Sequence, residues 1–467
     1  MLTNIWWIRR DLRLADNLAL NEARKGAGAL VPLFILDPHL LKQPAPSRKA
    51  FLFEGLRRLD EDLQRMGNRL VVRSGDPLDV LRQLVAESGA QRIYAVEDYS
   101  PYALQRDEHI GQVLPLTLQP GVTVRHPASV AKPDGSPYTV YTPFSKAWKA
   151  LTLTAGNSTL ETLPAPQQLP GSIPLDSESL PEDEPPKLFP AGEAEAWRRL
   201  ENFCEDLIYA YAEDRNRLDL EGTSALSPYL RFGMLSPRQA LIAALESRVS
   251  AGDPQALKGV DTWINELVWR EFYIAILYHF PHVLKTAFNP SLRNVPWRDA
   301  PQDLQAWKAG LTGYPVVDAG MRQLAGTGWM HNRARMIVAS FLVKDLLVNW
   351  QDGERWFMQS LVDGDPAANN GGWQWTAGVG TDAAPYFRIF NPVLQGIKFD
   401  PSGSYVRRWV PELVKVPEKW IHRPWEMPQE AQLAVGFKPG KDYPLPIVDH
   451  ALARQRVLEA YKRAAKG

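Results

Sequence analysis

Residues 4–8 read NIWWI, and residues 30–36 read LVPLFIL. Both runs are too short for a helix and are rich in branched and aromatic side chains, so they suit buried strands. RLVV at 69–72 and RIYAV at 92–96 repeat the pattern. The intervening segments have another period. In SRKAFLFEGLRRLDEDLQRM, residues 47–66, Leu52, Leu56, Leu59 and Leu63 recur at helical spacing and form one apolar face. DPLDVLRQLVAES, residues 76–88, offers Asp76 as an N-cap and Pro77 at the first helical position. This alternation over residues 1–130 predicts an α/β domain with a Rossmann-like parallel sheet and helices on both faces. Ligands of such sheets sit at the carboxyl ends of the strands. No G-x-G-x-x-G follows a strand and there is no P-loop, so the usual dinucleotide and triphosphate sites are not supported.

Outward from there the character changes. Residues 131–195 read as an interdomain linker, irregular over 158–192, where Pro, Leu and Ser surround an acidic middle. From 193 onward strand signals fade. Residues 195–215, 261–280, 314–350 and 451–467 read as helices, so 196–467 is expected to be an all-α domain. Formal net charge is zero, which argues against a generally basic surface but not against a local one. Residues 388–423 carry seven bases against three acids, which suits either a solvated surface or a phosphate-binding face. Cys204 is the one cysteine, so no intramolecular disulfide forms and a reducing, cytoplasmic home is expected. No signal peptide is visible, and no apolar run approaches the roughly 18 residues of a membrane span. The eight His are scattered without metal-ligand spacing, so no metal is expected.

Four local features carry chemistry. EGTSALSPYLRFG, residues 221–233, places three hydroxyls before a helix that Ser227 can cap and Pro228 can begin. It suits a phosphate or an ordinary helix start. Glu266, Trp269, Arg270 and Tyr273 share one helical face, as a salt-bridged surface or a site wall. Asn332, Arg335 and Met336 cluster in an apolar segment, where a buried Arg needs a partner; Asp363 and Asp365 are nearest in sequence. DPAANNGGWQWTAG, residues 365–378, sets two Gly and two Trp in what reads as a turn. Twelve of the sixteen Trp fall between 263 and 425, offering flat surfaces for rings, bases or flavins as well as core.

WWIRRDLRLADNLAL, EGTSALSPYLRFGMLSPR, NELVWREFY, TGYPVVDAGMRQLAGTGWMHNRARMIVASFLVKDLL and DGDPAANNGGWQWTAGVGTDAAPYFRIFNP together resemble the photolyase/cryptochrome family. The resemblance runs from about residue 4 to 465 and is greatest to class I cyclobutane pyrimidine dimer photolyases. It implies light-driven DNA repair, in which excited FADH⁻ lends one electron to the dimer, both ring bonds split, and the electron returns.

The resemblance also implies roles for particular residues. Tyr211, Thr223, Ser224, Ala225, Leu226 and Ser227 would hold the FAD pyrophosphate region. Asp363, Gly364 and Asp365 would line flavin and ribose, with Arg335 paired to Asp363. Asn369 would face flavin N5, where plant cryptochromes carry Asp. Glu266, Trp269, Asn332, Met336 and Trp375 would form the pocket for a dimer flipped out of the stack, with Arg270 and Tyr273 on the same helical face. Arg215, Arg333 and Gln395 match DNA-contacting positions. Trp373, Trp350 and Trp297 match the family's electron-hopping triad. Asn332 and Met336 stand where (6-4) photolyases carry His, which argues against that chemistry. The two pocket Trp argue against the single-strand-preferring branch. An antenna chromophore is expected in the N-terminal domain. VEDYSPYALQRDEHI lacks the Asn-Glu pair of folate binders, so 8-hydroxy-5-deazaflavin with Asp98 as a ligand is expected, with FMN, methenyltetrahydrofolate or an empty site as alternatives. The partner implied is UV-damaged DNA, with no obligate protein partner and a monomeric chain. A blue-light photoreceptor is the competing reading.

Overall fold

The computed structural model describes residues 2–42, 45–153, 160–182, 188–382, 385 and 388–465. Parts of the expected linker, four residues of the 363–392 motif and the last two residues of the chain lie outside the described residues. The chain forms two compact units. One comprises Met1–Ala212, Ser224–Pro281 and Val362–Ala367; the other comprises Glu213–Thr223, His282–Leu361 and Ala368–Gly467.

The first unit is built on a five-stranded sheet of order β3-β2-β1-β4-β5. The strands are β1 (Thr3–Ile8), β2 (Ala29–Leu36), β3 (Val71–Ser74), β4 (Arg92–Val96) and β5 (Leu116–Gln119). All pairings are parallel. β1 and β2 are buried at every position, which is why they read as continuous apolar runs. β5, half-buried and written LTLQ, has no such run and was not expected. Strand order reverses between β1 and β4, so their carboxyl ends open the crevice where such sheets take ligands.

Asp76 caps the Pro77–Ser88 helix, accepting from the Leu78 N–H at 2.9 Å. In the Pro46–Arg65 helix, Leu56, Leu59 and Leu63 are buried, with Phe51 and Phe53 beside them, while Leu52 is only half-buried. Inside the expected linker, Tyr141–Leu153 is a helix. Its buried stripe of Phe144, Ser145, Trp148 and Thr152 includes residues that pack on the Pro254–His279 helix. Residues 160–182 have no helix or strand but are tied to the sheet: Asn68 donates to Pro170 O at 2.9 Å, and Ser177 Oγ accepts from Val72 N.

From residue 193 no strand occurs among the described residues. The stretch 195–215 forms two helices joined by a π turn at Phe203–Leu207. The stretch 314–350 is not one helix. Gly328, at φ +68°, ends Pro315–Thr327, and the chain restarts as Asn332–Ser340. The expected turn at 365–378 is corrected: Pro366–Ala377 is a helix. Asp365 starts it by accepting from Ala367 N at 2.9 Å, and side-chain packing outweighs the roughly 1 kcal/mol that each Gly costs a helix. One core of the second unit gathers Trp307, Phe341, Trp350, Phe357, Trp373 and Tyr461, with Trp297 packed against it.

Candidate functional site

In the first unit, the segment after β1 meets residues 362–367. Arg10 lies 2.7 Å from Asp365 and 3.4 Å from Asp98; Arg231 lies 3.7 Å from Asp365 and donates to Gly364 O at 3.0 Å. Gly233 makes this possible: at φ +69° it ends its helix, and the Arg10 backbone fills the space of a side chain. Burial opposes the charge of Asp98, but Arg10, Arg231 and the Ser100 N–H outweigh it and hold its carboxyl at about 2. Burial pushes the Arg231 guanidinium down to about 9, helped by the like charge of Arg10. Burial opposes the charge of Arg10 as well, but Asp365 and Asp98 together outweigh it and move the guanidinium up. Arg48 also feels the carboxylates of Asp363 and Asp365. This anchors the loop expected to line a flavin. It also turns Asp98 inward, so that it holds Arg10.

The 224–227 turn belongs to the same unit. Ala225 is left-handed at φ +48°, and Trp263 Nε1 donates to Ser224 Oγ at 3.3 Å. Ser227 does not cap the next helix, as expected, but is its first residue; Leu226 stands at the cap without a side-chain bond. Leu226 and Tyr211 are buried, Ser224 is half-buried and Ser227 is exposed. On the Pro254–His279 helix, Glu266, Trp269, Arg270 and Tyr273 are all half-buried. Trp269 and Tyr273 lie 5.6 Å apart, ring to ring. Arg270 turns its guanidinium inward, onto Val122 O at 2.7 Å and Leu230 O at 3.4 Å. Burial and nearby Arg10 push it down to about 10. That geometry braces the helix.

In the second unit, Asn369 and Asn370 are buried on one turn of the Pro366–Ala377 helix. Asn369 Nδ2 donates to Glu354 O at 3.0 Å, and Asn370 Nδ2 to Val283 O at 3.1 Å. With one N–H of its amide committed to Glu354 O, Asn369 has its carbonyl oxygen to offer a ligand N–H. Trp373 is buried, edge-on to Phe357 at 5.0 Å and to Trp307 at 6.1 Å. Trp375, two positions on, lies about 200° round the helix and is half-buried. Trp350 is buried, and Trp297 is edge-on to Tyr461 at 6.0 Å. The three expected electron-chain Trp thus lie in or against one core, and sequence reasoning missed Trp307 and Phe357 around Trp373. Nothing in the spacing of those two residues signals the contact.

On the Asn332–Ser340 helix, Asn332 is exposed while Arg333, Arg335 and Met336 are half-buried. Arg333 bonds Asn216 Oδ1, with Nε at 3.1 Å, and lies over the Phe399 ring at 4.4 Å. Arg335 Nε donates to Met330 O at 2.8 Å. Arg215 and Gln395 are half-buried, and Leu394 and Ile397 beside Gln395 are exposed. Among the described residues no group of three His, Cys, Asp or Glu is placed to hold a metal, and no helix is long and apolar enough to cross a membrane.

Residues 4–167 match the family model described as DNA photolyase, and residues 263–463 match that of the FAD binding domain of DNA photolyase. A deoxyribodipyrimidine photo-lyase of Agrobacterium fabrum is 41% identical over 99% of this chain and 98% of its own. The crystal structure of a class III photolyase from Agrobacterium tumefaciens is similar at a TM-score of 0.93 and 39% identity, covering 100% of this chain and 98% of that one. A Synechocystis cryptochrome structure is similar at 0.89 and 31%, covering 98% of this chain and 99% of that one.

Proposed function

The chain belongs to the photolyase/cryptochrome family, and on that premise we propose that it is a light-dependent DNA-repair enzyme. It acts as a deoxyribodipyrimidine photo-lyase on cyclobutane pyrimidine dimers. The observation that carries this is likeness at 41% identity across nearly the whole chain to a protein of that activity. Bound FAD, reduced and excited by light, supplies the electron that opens the dimer.

The chain's own residues do the rest. The donor set fits FAD: hydroxyls at Thr223, Ser224 and Ser227 suit its phosphates, with Tyr211, Ala225 and Leu226 beside them. Arg335, Asp363, Gly364 and Asp365 suit ribose and ring edges. Asn369 presents a neutral carbonyl oxygen that accepts from the reduced ring without supplying an acidic proton. By the family resemblance, Trp269 and Trp375 would each offer an apolar ring to the flipped dimer, and Glu266 would bond its base edge. Asn332, Met336 and Tyr273 would complete that set. Arg215, Arg333 and Gln395 meet the DNA backbone, which positions the duplex without reading sequence. Trp373, Trp350 and Trp297 would carry electrons from an external reductant to bound FAD.

Residues 1–130 serve as the antenna domain, 131–195 as a connector and 196–467 as the catalytic domain. The antenna is 8-hydroxy-5-deazaflavin, on the absence of a folate-type Asn-Glu pair; FMN and methenyltetrahydrofolate are the alternatives. Class I membership is read from the resemblance of the long motifs; Trp269 and Trp375 argue only against the single-strand-preferring branch, and one similar structure is of class III. The protein is monomeric and cytoplasmic. The test is a thymine-dimer oligonucleotide incubated with the protein under blue light and in darkness, with intact thymines counted. Equal counts in light and dark overturn the repair reading in favour of a photoreceptor.

A further inference from the structure

Tyr141 and Trp269 are stacked face to face, centroids 3.6 Å apart and planes 3° from parallel. Aromatic pairs left to themselves choose offset or edge-on arrangements, because overlapping faces carry like partial charge. This overlap is therefore imposed by its surroundings. The Tyr141 hydroxyl donates to the backbone oxygen of Asn265 at 3.1 Å, one helical turn before Trp269. Its ring is edge-on to Phe272 at 5.9 Å, and Phe272 is in turn edge-on to Trp269 at 5.7 Å. Tyr141 is thus held at its hydroxyl, at its edge and across its face.

Packing of the two helices does not rest on this residue alone. Tyr141 is the first residue of the Tyr141–Leu153 helix and is half-buried. The fully buried Phe144 and Trp148 of the same helix make further interhelical contacts, to Phe272 at 5.3 Å and to Glu271 at 2.5 Å. What Tyr141 adds is a fixed plane for one indole. An exposed Trp side chain has two freely turning torsions, and freezing them on binding costs affinity. A Trp backed on one face is already oriented and offers its other face to a planar apolar ligand.

We propose that Tyr141 is a positioning residue for dimer recognition, holding Trp269 in the plane that receives the flipped pyrimidine pair. This rests on the reading of Trp269 as a wall of the dimer pocket. The experiment measures binding to a duplex with one thymine dimer and to the same duplex undamaged. The proteins are the parent, Tyr141→Phe, Tyr141→Ala, Trp269→Ala and the Tyr141→Ala/Trp269→Ala double variant, with FAD content measured for each. Tyr141→Ala should lose roughly 3- to 10-fold affinity for the damaged duplex only, with FAD content unchanged. Tyr141→Phe keeps the ring but loses the bond to Asn265, and should lose less than Tyr141→Ala; a loss as large as that of Tyr141→Ala overturns the proposal. The double variant should be no worse than Trp269→Ala, because Tyr141 acts through the indole. Parent-like binding by Tyr141→Ala, or equal losses on both duplexes, overturns the proposal. If Tyr141→Ala does not fold, Tyr141→Leu is measured instead: selective loss supports the proposal and parent-like affinity overturns it. Normal damaged-duplex binding by Trp269→Ala overturns the pocket reading and this proposal together. An impaired Trp269→Ala beside a normal Tyr141→Ala overturns this proposal alone.

Discussion

Gly353 lies against Cη2 and Cζ3 of the Trp373 indole, leaving no room for a methyl group on its α-carbon. Gly353→Ala should therefore push the ring from its seat against Phe357 and Trp307. Overpacking of this kind costs about 1–3 kcal/mol, read as a lower melting temperature. Photoreduction of oxidised FAD should slow, while repair by protein reduced beforehand should be normal. Trp373→Phe, which removes the indole and keeps a ring, should show the same split. Blue-light bleaching of the flavin with an external reductant, beside a repair assay on reduced protein, checks both. Impaired repair in reduced protein would sink the division.

Trp375 lies on the other side of the same helix and should fail in the opposite way. Trp375→Ala should photoreduce normally yet bind a thymine-dimer duplex poorly. Lost stacking is worth about 1–3 kcal/mol, roughly 5- to 150-fold in affinity. Loss of photoreduction in this variant would show that both Trp are joint packing residues.

Asp365 faces two guanidinium groups, Arg10 at 2.7 Å and Arg231 at 3.7 Å. Asp365→Asn leaves Asp98 as the remaining carboxylate on Arg10. Removing one member of a buried charge cluster costs about 3–5 kcal/mol. The variant should melt markedly earlier and lose FAD on purification; unchanged melting with full yellow colour would refute the placement.

Glu271 sets a pH dependence outside the site. It is buried and accepts from Trp148 Nε1 and from the backbone N–H groups of Val124 and Arg125. Burial raises its carboxyl from 4.5 to about 7, against those bonds. A carboxyl raised on folding binds its proton more tightly when folded. The resulting stability is fully present below about 4.5 and is lost as pH rises through about 7. The amplitude is on the order of 3 kcal/mol. Melting between pH 5 and 8 should fall more steeply in the parent than in Glu271→Gln, which cannot titrate. Parallel curves would show that Glu271 keeps an ordinary carboxyl.

Arg333 divides its guanidinium between Asn216 and the Phe399 ring, and is half-buried. Arg333→Ala should weaken binding to damaged and undamaged duplex alike and flatten the salt dependence by about one phosphate's share. An unchanged slope would take Arg333 off the DNA face.

The sequence by itself determined the elements whose physics is local. NIWWI and LVPLFIL became central parallel strands because a strand buried on both faces must be apolar throughout. Asp76 and Pro77 began their helix because a cap and its first turn are neighbours in the chain. The long motifs made the family legible, since their residue order survives without any knowledge of contacts. Tertiary structure decided what depends on distant partners. The Gly-rich 365–378 stretch became a helix because packing outweighed propensity. β5 took its place through pairing with β4, which a half-buried LTLQ does not announce. Arg270 shares its sequence stripe with Glu266 and Trp269, yet backbone carbonyls from elsewhere in the chain claimed its charge. Tyr141 lies 128 positions before Trp269, and only folding brings the two rings together, because no periodicity in a sequence encodes a contact between separate helices.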